Sequence, residues 1–199
     1  NSSTDTILEI QPKSSMLSFQ LGMMKENDAS LGLSGSGAFN GSNNQLTSFA
    51  GLSNSMNLMG GKFFGSFYWG KSNGISNELG MIQSLSNLYS SAFGIGFLKS
   101  SIFYKADTLM LTIDQPIRLE SGRLQLNVPI YRTKEKNVLF NSMNFDLDPS
   151  GREIHVKAEY LTSYKNIGFG LTLGYKSDPY HIKFMDDYWY SSLGFNIKI

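Results

Sequence analysis

Cysteine is absent from the 199 residues, which excludes disulfide bridges, thiolate metal sites and a cysteine nucleophile. No run of about 18 apolar residues occurs, which excludes a membrane-spanning helix. Charged residues are scarce, at 17% against the roughly 25% of an ordinary soluble domain. The net charge is only +1 and no basic cluster stands out, so nucleic acid is not an expected partner. The chain must therefore cover much of its surface with groups other than charges.

The residues that are plentiful indicate a β-rich chain. Twenty glycines, an aromatic fraction of 13% and only five prolines are typical of many strands joined by turns. From about residue 108 onward, apolar residues recur at every second position, which is the spacing of a strand and not of a helix. The alternation predicts six strands in this half, at 108–114, 123–130, 143–147, 153–160, 166–175 and 188–199.

The N-terminal half alternates less regularly. Strands are predicted at 16–24, 45–53, 62–71 and 91–99, with a short one at 6–10. We expect 28–44 and 72–87 to be mainly loops because they are rich in Gly, Ser and Asn, and leave open a strand inside 31–39. Compact glycine-containing turns at 120–122 and 148–151 make the last six strands a meander. The total is 10–12 strands in one domain, residues 1–199.

The composition of the two strand faces separates a membrane barrel from a soluble β-sandwich or barrel. Segment 166–175 places glycines on one face and large apolar residues on the other. A soluble barrel fills its interior with the apolar row, whereas a membrane barrel turns that row to lipid and leaves a polar lumen. Aromatic residues near strand ends, such as Tyr160, Tyr175 and 188–190, suit interfacial girdles. We predict an antiparallel up-and-down transmembrane β-barrel of about 12 strands.

The last predicted strand ends the chain and resembles the C-terminal β-signal of outer-membrane barrels. That signal places a polar residue, a glycine and two apolar residues at fixed spacing, and the matching positions are Ser192, Gly194, Ile197 and Ile199. The usual terminal aromatic is replaced by Ile199. The resemblance implies that the barrel-assembly machinery recognises this strand by edge pairing. The residues of the strand that we expect to face lipid are Trp189, Leu193, Phe195 and Ile197.

Five short segments, in order, resemble the C-terminal region of autotransporter-like subtilisin-family serine proteases of proteobacteria. They are SGAF at 36–39, SSAF at 90–93, QPIRLESG at 115–122, DLDPSGR at 146–152 and SDPYH at 177–181. The family's last segment reads DPGH, so Tyr180 stands where the family has glycine. The similarity runs from about Gly22 to the end, and the protease domain itself is not in this sequence. It implies a translocator-type β-domain that anchors, with or without helping to export, an N-terminal passenger.

The expected function is therefore that of an outer-membrane translocator or anchor domain, with no catalytic residues, cofactor or metal of its own. The expected location is the bacterial outer membrane. The expected partners are its lipid and lipopolysaccharide, the barrel-assembly machinery, and either its own cleaved passenger or other envelope proteins. Two alternatives stay open. One is a stand-alone outer-membrane barrel that acts as a channel or as a structural subunit of an envelope complex. The other is a soluble β-domain that binds or chaperones a protease domain.

The polar face of the predicted strands carries the remaining candidate residues. Those expected to line a lumen are Arg123, Asp146, Glu153, His155, Lys157 and Glu159. In one interpretation they set conductance or hold a passenger segment. In the other they form ion pairs only with one another. A Gly-x-Ser-x-Gly elbow is missing, which argues against a serine hydrolase. His181 and the acidic pair 186–187 are a weak cation candidate, and a solvated loop is the favoured interpretation there.

Overall fold

The computed structural model describes residues 3–10, 17–26, 45–76 and 81–197, and it confirms the all-β, antiparallel class. The strands in these residues are β1 (Ser3–Ile10), β2 (Leu17–Glu26), β3 (Gln45–Leu58), β4 (Gly61–Ser72), β5 (Ile75–Ser76), β6 (Ile82–Leu85), β7 (Leu88–Ser100), β8 (Thr108–Ser121), β9 (Arg123–Arg132), β10 (Val138–Asp146), β11 (Ile154–Tyr164), β12 (Ile167–Ser177) and β13 (Tyr188–Ile197). A short 3-10 helix, Pro179–His181, precedes β13. Within the same residues, no helix is long and apolar enough to cross a membrane. The strand considered at 31–39 and the SGAF segment lie outside the described residues.

Nine strands form the main sheet, in the order β1-β2-β3-β4-β7-β8-β11-β12-β13, and every neighbouring pair is antiparallel. A second, four-stranded sheet has the order β10-β9-β6-β5. In the described part of the chain no ladder joins β1 to β13, so the main sheet has two edges there and closure is not seen.

Two predictions about the connections were wrong. The segment 72–87 was predicted to be mainly loop, but two strands, β5 and β6, lie within it. The last six strands are not a simple meander, because β8 pairs with β11 while β9 and β10 turn away into the second sheet. One residue, Gly122, separates β8 from β9, which is too short for a two-residue hairpin. A Cβ at Gly122 would lie 2.5 Å from the Leu88 side chain, which would have to shift to admit it.

The two faces of the main sheet differ in side-chain chemistry. One face carries large apolar residues that are exposed, as in the cross-strand row of Phe19, Leu52 and Phe67, where the exposed fractions are 42–50%. Leu88 is the one hydrophobic side chain that is buried among those the structure describes. The buried polar side chains are Ser18, Gln45, Ser72, Asp107, Gln115, Glu153 and His181. This is the reverse of a soluble domain, where the buried set is mostly apolar.

Aromatic rings on the polar face lie over glycines of the neighbouring strand. In each case an added Cβ on the glycine would come within 2.1–2.5 Å of the ring of its cross-strand partner. The four pairs are Gly22 with Phe49, Gly51 with Tyr68, Gly96 with Phe64, and Gly174 with Tyr190. A ring laid over glycine helps to fix the register between two strands and fills space on this face without branched aliphatic side chains.

The two ends of the main sheet also differ. At the end that we call the short-turn end, β3 joins β4 through 59–60 and β11 joins β12 through 165–166. The opposite, long-connection end carries the links between Ser72 and Leu88, Ser121 and Ile154, and Ser177 and Tyr188. Short turns at one end and long connections at the other are typical of outer-membrane barrels.

Candidate functional site

Four of the residues predicted to line a lumen lie together on the polar face. His155, Lys157 and Glu159 alternate along β11 and Glu153 precedes the strand, so period-two geometry puts them in one row. The register places His155 opposite Asp114 of β8 on one side and opposite Lys176 of β12 on the other. The row is therefore flanked by charges from both neighbouring strands.

The charges in this row, which we call the polar row, are paired. His155 Nδ1 lies 3.2 Å from Asp114 Oδ2, and its Nε2 contacts Glu153 Oε1. Lys176 Nζ lies 3.1 Å from the same Glu153 oxygen. Farther along β11, Lys157 Nζ lies 3.3 Å from Glu159 Oε1. Both ring nitrogens of His155 are engaged, so neither is available to take a proton from a substrate in this arrangement.

The other two lumen candidates lie elsewhere. Arg123 begins β9 and Asp146 ends β10, so both belong to the four-stranded sheet. They pair with one another at 3.2 Å, with side chains 67% and 71% exposed. The structure does not bring them to the polar row, because β8 is followed by a corner and not by a hairpin. Alternation predicted the face of each strand but not its neighbours.

Four of the five family-like segments converge at the long-connection end. Arg118 from QPIRLESG donates from Nε to the Gly151 carbonyl at 2.9 Å and from Nη2 to the Pro149 carbonyl at 2.8 Å. Its Nη1 lies 2.5 Å from Glu120 Oε2. The guanidinium therefore holds the DLDPSGR turn against the end of β8, which stabilises the β8–β11 contact.

Arg152 and Ser91 close the same network, which we call the motif cluster. Arg152 Nη2 donates to Glu120 Oε2 at 2.9 Å, and its Nη1 donates to the buried Gln115 side chain. Ser91, from SSAF, donates to Glu120 Oε1 at 2.5 Å. Glu120 thus accepts from two arginines and a serine, and each of these donors comes from a different segment of the sequence.

The SDPYH segment joins the motif cluster through His181 and Asp178. The Gly151 N–H donates to the His181 carbonyl at 2.7 Å, and the Arg152 N–H donates to Asp178 Oδ2 at 3.1 Å. A Cβ on Gly151 would lie 2.6 Å from the Lys183 nitrogen, so only glycine fits at this crossing. Tyr180, at the family's glycine position, has φ 59° and a side chain that is 73% exposed.

Glu153 connects the motif cluster to the polar row. Its N–H donates to His181 Nδ1 at 2.9 Å, so His181 Nε2 carries the hydrogen and donates to the Ile117 carbonyl at 3.1 Å. The Glu153 carboxylate also accepts from the Tyr180 N–H at 2.5 Å. Burial favours the neutral acid, but hydrogen bonds from His155, Lys176 and Tyr180 outweigh it and hold the pKa of Glu153 below its usual range.

A second buried carboxylate, Asp107, organises the β7–β8 turn at the short-turn end. It accepts backbone N–H groups from Ile102, Phe103 and Tyr104 at 2.7–2.9 Å, and the Tyr160 hydroxyl at 3.1 Å. Burial opposes ionisation, but the three backbone donors outweigh it and lower the pKa of Asp107. This carboxylate caps a turn, and its partners are all within the protein.

The lipid-facing candidates lie on the exposed face of β13. Leu193, Phe195 and Ile197 are opposite Leu171, Phe169 and Ile167 of β12, and Trp189 is opposite Tyr175. The side chains of the four candidates are 64–78% exposed. Ser192 and Gly194, from the assembly signal, lie on the opposite face of the strand, and Ile199 is outside the described residues.

Asp187, from the acidic pair considered as a cation site, is held by hydrogen bonds within the protein. Asp187 accepts from the Tyr175 hydroxyl at 2.5 Å and from the Asp178 N–H at 3.0 Å. These two hydrogen bonds outweigh burial and lower the pKa of Asp187. In the part of the chain that the structure describes, no group of three His, Asp or Glu residues could hold a metal ion.

Comparison of the chain with family models, with curated proteins and with solved structures finds no match. Functional inference therefore rests on the geometry. Two features escaped the sequence analysis. The stacking of rings over glycine could have been anticipated from Gly-rich polar faces, whereas the convergence of the motif cluster depends on strand order.

Proposed function

We propose that this chain is an outer-membrane β-barrel domain, with its apolar face against lipid and its polar row around an aqueous interior. The observation that carries the proposal is the inverted burial. The exposed row on β13 is large and apolar, while the buried Glu153 and Gln115 hold charge-assisted hydrogen bonds. Exposing such a continuous apolar face to water would drive association, whereas hydrocarbon is its natural solvent.

The closed form of the barrel belongs to this proposal. In hydrocarbon every backbone N–H and C=O must find a partner, and an open sheet edge leaves a row of them unpaired. Strands of 10–14 residues in the main sheet, such as β2, β3 and β12, are long enough to cross at a tilt. Assembly by the barrel-assembly machinery is supported by the signal-like residues Ser192, Gly194 and Ile197.

A fractionation tests the membrane location. Outer membranes are extracted with detergent, and the protein is run on gels with and without boiling. We expect residence in the outer-membrane fraction and a shift in migration on heating, because a folded barrel resists denaturation by detergent. A monodisperse protein in buffer without detergent would show that the proposal is wrong and favour the soluble alternative.

Within the outer membrane we propose a translocator or anchor role for the domain, with no catalytic function. Support comes from the five family-like segments, four of which form one connected motif cluster. It also comes from the direction of β1, whose first residue, Ser3, pairs with Glu26 at the long-connection end. Long connections face the cell exterior in barrels of this kind, so a passenger joined before β1 would emerge outside.

A passenger fusion tests this role. A protease-sensitive reporter is placed N-terminal to residue 1, behind an export signal, and intact cells are treated with protease. Cleavage in intact cells, with the barrel still heat-modifiable, is the expected result. A reporter that stays protected while the barrel assembles normally would contradict the translocator role and leave the membrane proposal intact.

A stand-alone structural subunit is the second candidate, and the four-stranded sheet favours it. All nine residues of β10 are exposed, and they include Leu139, Phe140 and Phe145. This sheet turns away from the main one at Gly122, so its apolar residues are available to another envelope protein. Deleting 123–147 would abolish such a contact, and pull-down of a defined envelope partner with and without the deletion distinguishes the two candidates.

A further inference from the structure

The charges at the short-turn end are almost all positive. The strand ends and turns at 57–62, 99–107 and 164–167 contain one aspartate, Asp107, and four lysines, which are Lys62, Lys99, Lys105 and Lys165. Asp107 is buried, and its carboxylate accepts hydrogen bonds from three backbone N–H groups and the Tyr160 hydroxyl. Within the described residues none of the four lysines forms an ion pair with a carboxylate. Their charge is therefore available to an external anion.

The long-connection end differs, because its positive charges are paired within the protein. Arg118 and Arg152 both contact Glu120, at 2.5 and 2.9 Å. Arg123 pairs with Asp146 at 3.2 Å. Arginine charges that are already neutralised in this way attract an external anion less than unpaired lysines do. An anionic partner is therefore expected at the short-turn end.

Lys99 lies on the exposed, apolar face of the main sheet. The register aligns it with Leu109 of β8, Tyr160 of β11 and Leu171 of β12, in a row that continues to Leu193 of β13. It is the next-to-last residue of β7. A lysine on a lipid-facing surface buries its aliphatic part against apolar groups and extends its ammonium to the headgroups. The position of Lys99 therefore directs its charge towards lipid phosphates.

The turn that follows β7 presents aromatic rings beside this lysine. Phe103 and Tyr104 are largely exposed. The Phe103 ring makes an edge contact with the Tyr160 ring, with centroids 6.1 Å apart, which places it on the side of the exposed face. Ser101 Oγ donates to the Lys105 carbonyl at 3.2 Å, which holds Lys105 close to the end of β7. Exposed aromatic rings next to lysines are typical of the boundary between membrane and water.

We propose that Lys99 and Lys105 bind the phosphate of an anionic phospholipid, with Phe103 and Tyr104 at the boundary between its headgroup and its acyl chains. The inference rests on the membrane location under Proposed function, which puts the short turns at the periplasmic leaflet. An acidic periplasmic protein would fit the lysines but not the Phe103 ring, which lies on the lipid-facing side. Each lysine near an anionic membrane surface raises the affinity about fivefold at low salt.

Quenching of tryptophan fluorescence by brominated lipids measures the lipid preference at each end of the sheet. The full chain is refolded into phosphatidylcholine vesicles that contain either dibromo-phosphatidylglycerol or dibromo-phosphatidylcholine, which share acyl chains and differ in headgroup charge. The short-turn reporter is Leu111→Trp, on the exposed face of β8 and one row farther from the end than Lys99, with Trp69→Phe and Trp189→Phe removing the two native tryptophans. The long-connection reporter is the native Trp189 after Trp69→Phe.

At low salt we expect phosphatidylglycerol to quench the Leu111→Trp reporter with an apparent affinity about fivefold or more above that of phosphatidylcholine. The double variant Lys99→Gln/Lys105→Gln should lose this preference. Lys99→Arg/Lys105→Arg should keep it, because the charge is kept. Lys71→Gln is the matched control and should also keep the preference, since Lys71 lies on the exposed face near the other end of β4.

Equal affinity of the two lipids at the Leu111→Trp reporter would overturn the proposal. A preference that survives Lys99→Gln/Lys105→Gln, or one of the same size at Trp189, would also overturn it, because the selectivity would then not come from the short-turn end. Quenching by neither lipid, or a protein that stays monodisperse without detergent, would instead defeat the proposed function on which the inference rests.

Discussion

The two faces of the main sheet differ in which side chains they expose and which they pair within the protein. On the exposed face, large apolar residues such as Leu193 and Phe195 are 64% and 71% exposed and lie opposite apolar residues of β12. On the buried face, Glu153, His155 and Lys176 find partners for their charges within a few ångströms. A water-soluble sheet has the opposite arrangement, with apolar residues packed and charges solvated.

This difference indicates where the free energy of folding comes from. With one buried hydrophobic side chain, Leu88, in the described residues, burial of an apolar core contributes little. Backbone ladders, rings laid over glycine and the paired charges of the polar row hold the strands together instead. The exposed face contributes only if a non-aqueous solvent covers it. Substitutions that move one kind of side chain to the other face test this comparison.

The largest expected effect comes from a charge on the exposed face. Leu173→Arg, on the exposed face of β12 and outside the assembly signal, should block or strongly impair membrane assembly, because arginine facing lipid near the midplane costs about 2–4 kcal/mol. Thr172→Arg, one residue away on the opposite face, is the matched control and should assemble. Heat-modifiable protein in outer membranes measures both. Equal loss in the two variants would mean that the faces are not distinguished by lipid.

The next effect concerns the polar row. Glu153→Gln removes the carboxylate that pairs with Lys176 and His155, and should lower the free energy of unfolding by about 1.5–3 kcal/mol. Because the folded pKa of Glu153 is below its ordinary value of 4.5, its stabilisation is complete above that value. It is lost as pH falls through the folded pKa.

Urea unfolding in micelles measures this stabilisation from pH 7 down to pH 3. The native protein should lose stability over this range, and Glu153→Gln should lose less of it. Glu159→Gln is the control, since its partner Lys157 is held by one ion pair at 3.3 Å and not by a network. Parallel pH curves for the native protein and Glu153→Gln would contradict the role given to this carboxylate.

Ring-over-glycine packing should show a smaller effect. Gly174→Ala places a Cβ about 2.2 Å from the Tyr190 ring, and overpacking of this kind costs about 1–3 kcal/mol. Gly94→Ala, whose added Cβ would meet nothing closer than 3.6 Å, serves as the control. Adding Tyr190→Ala to Gly174→Ala should remove the clash, so the double variant loses less stability than the two single losses combined. Additive losses would show that the ring does not depend on this glycine.

The smallest expected effect concerns Tyr180, in the SDPYH segment of the motif cluster. Tyr180 has φ 59°, where a side chain costs about 1 kcal/mol relative to glycine, and its side chain is largely exposed. Tyr180→Gly should therefore raise the free energy of unfolding by up to about 1 kcal/mol. Tyr164→Gly, an exposed tyrosine at the end of β11 without positive φ, should not stabilise. Loss of stability in Tyr180→Gly would indicate that the ring makes a contact of its own.

Much of this fold was predictable because alternation reports the face of each residue directly. The rows Glu153–Glu159 and Trp189–Ile197 needed only a period of two, and in the structure the residues of each row share one face of the sheet. Strand partners were not predictable in the same way. The segments that contain Arg123 and Asp146 alternate as regularly as the neighbouring strands do. The chain nevertheless turns at Gly122, so these two strands join another sheet. Such a turn does not change the alternation and cannot be predicted from it.

The contacts of the motif cluster also could not be predicted from the sequence alone. The segments around Arg118, Gly151 and His181 were recognisable as turn-forming sequences, since each contains glycine or proline. That they bind one another follows from β8 pairing with β11, which brings the end of β8 beside the 148–152 turn. The pairing of the half-buried Glu120 with two arginines is a consequence of that topology and has no local signal.

A cysteine-labelling scan of β13 in native outer membranes tests the central claim most directly. Single cysteines replace Trp189 to Asn196 in turn, and each is treated with a water-soluble thiol reagent or probed with a fluorophore quenched by lipid-borne nitroxide. The account predicts a period of two, with 189, 191, 193 and 195 quenched from lipid and 190, 192, 194 and 196 labelled from water. Labelling without that alternation, or with the opposite phase, would contradict it.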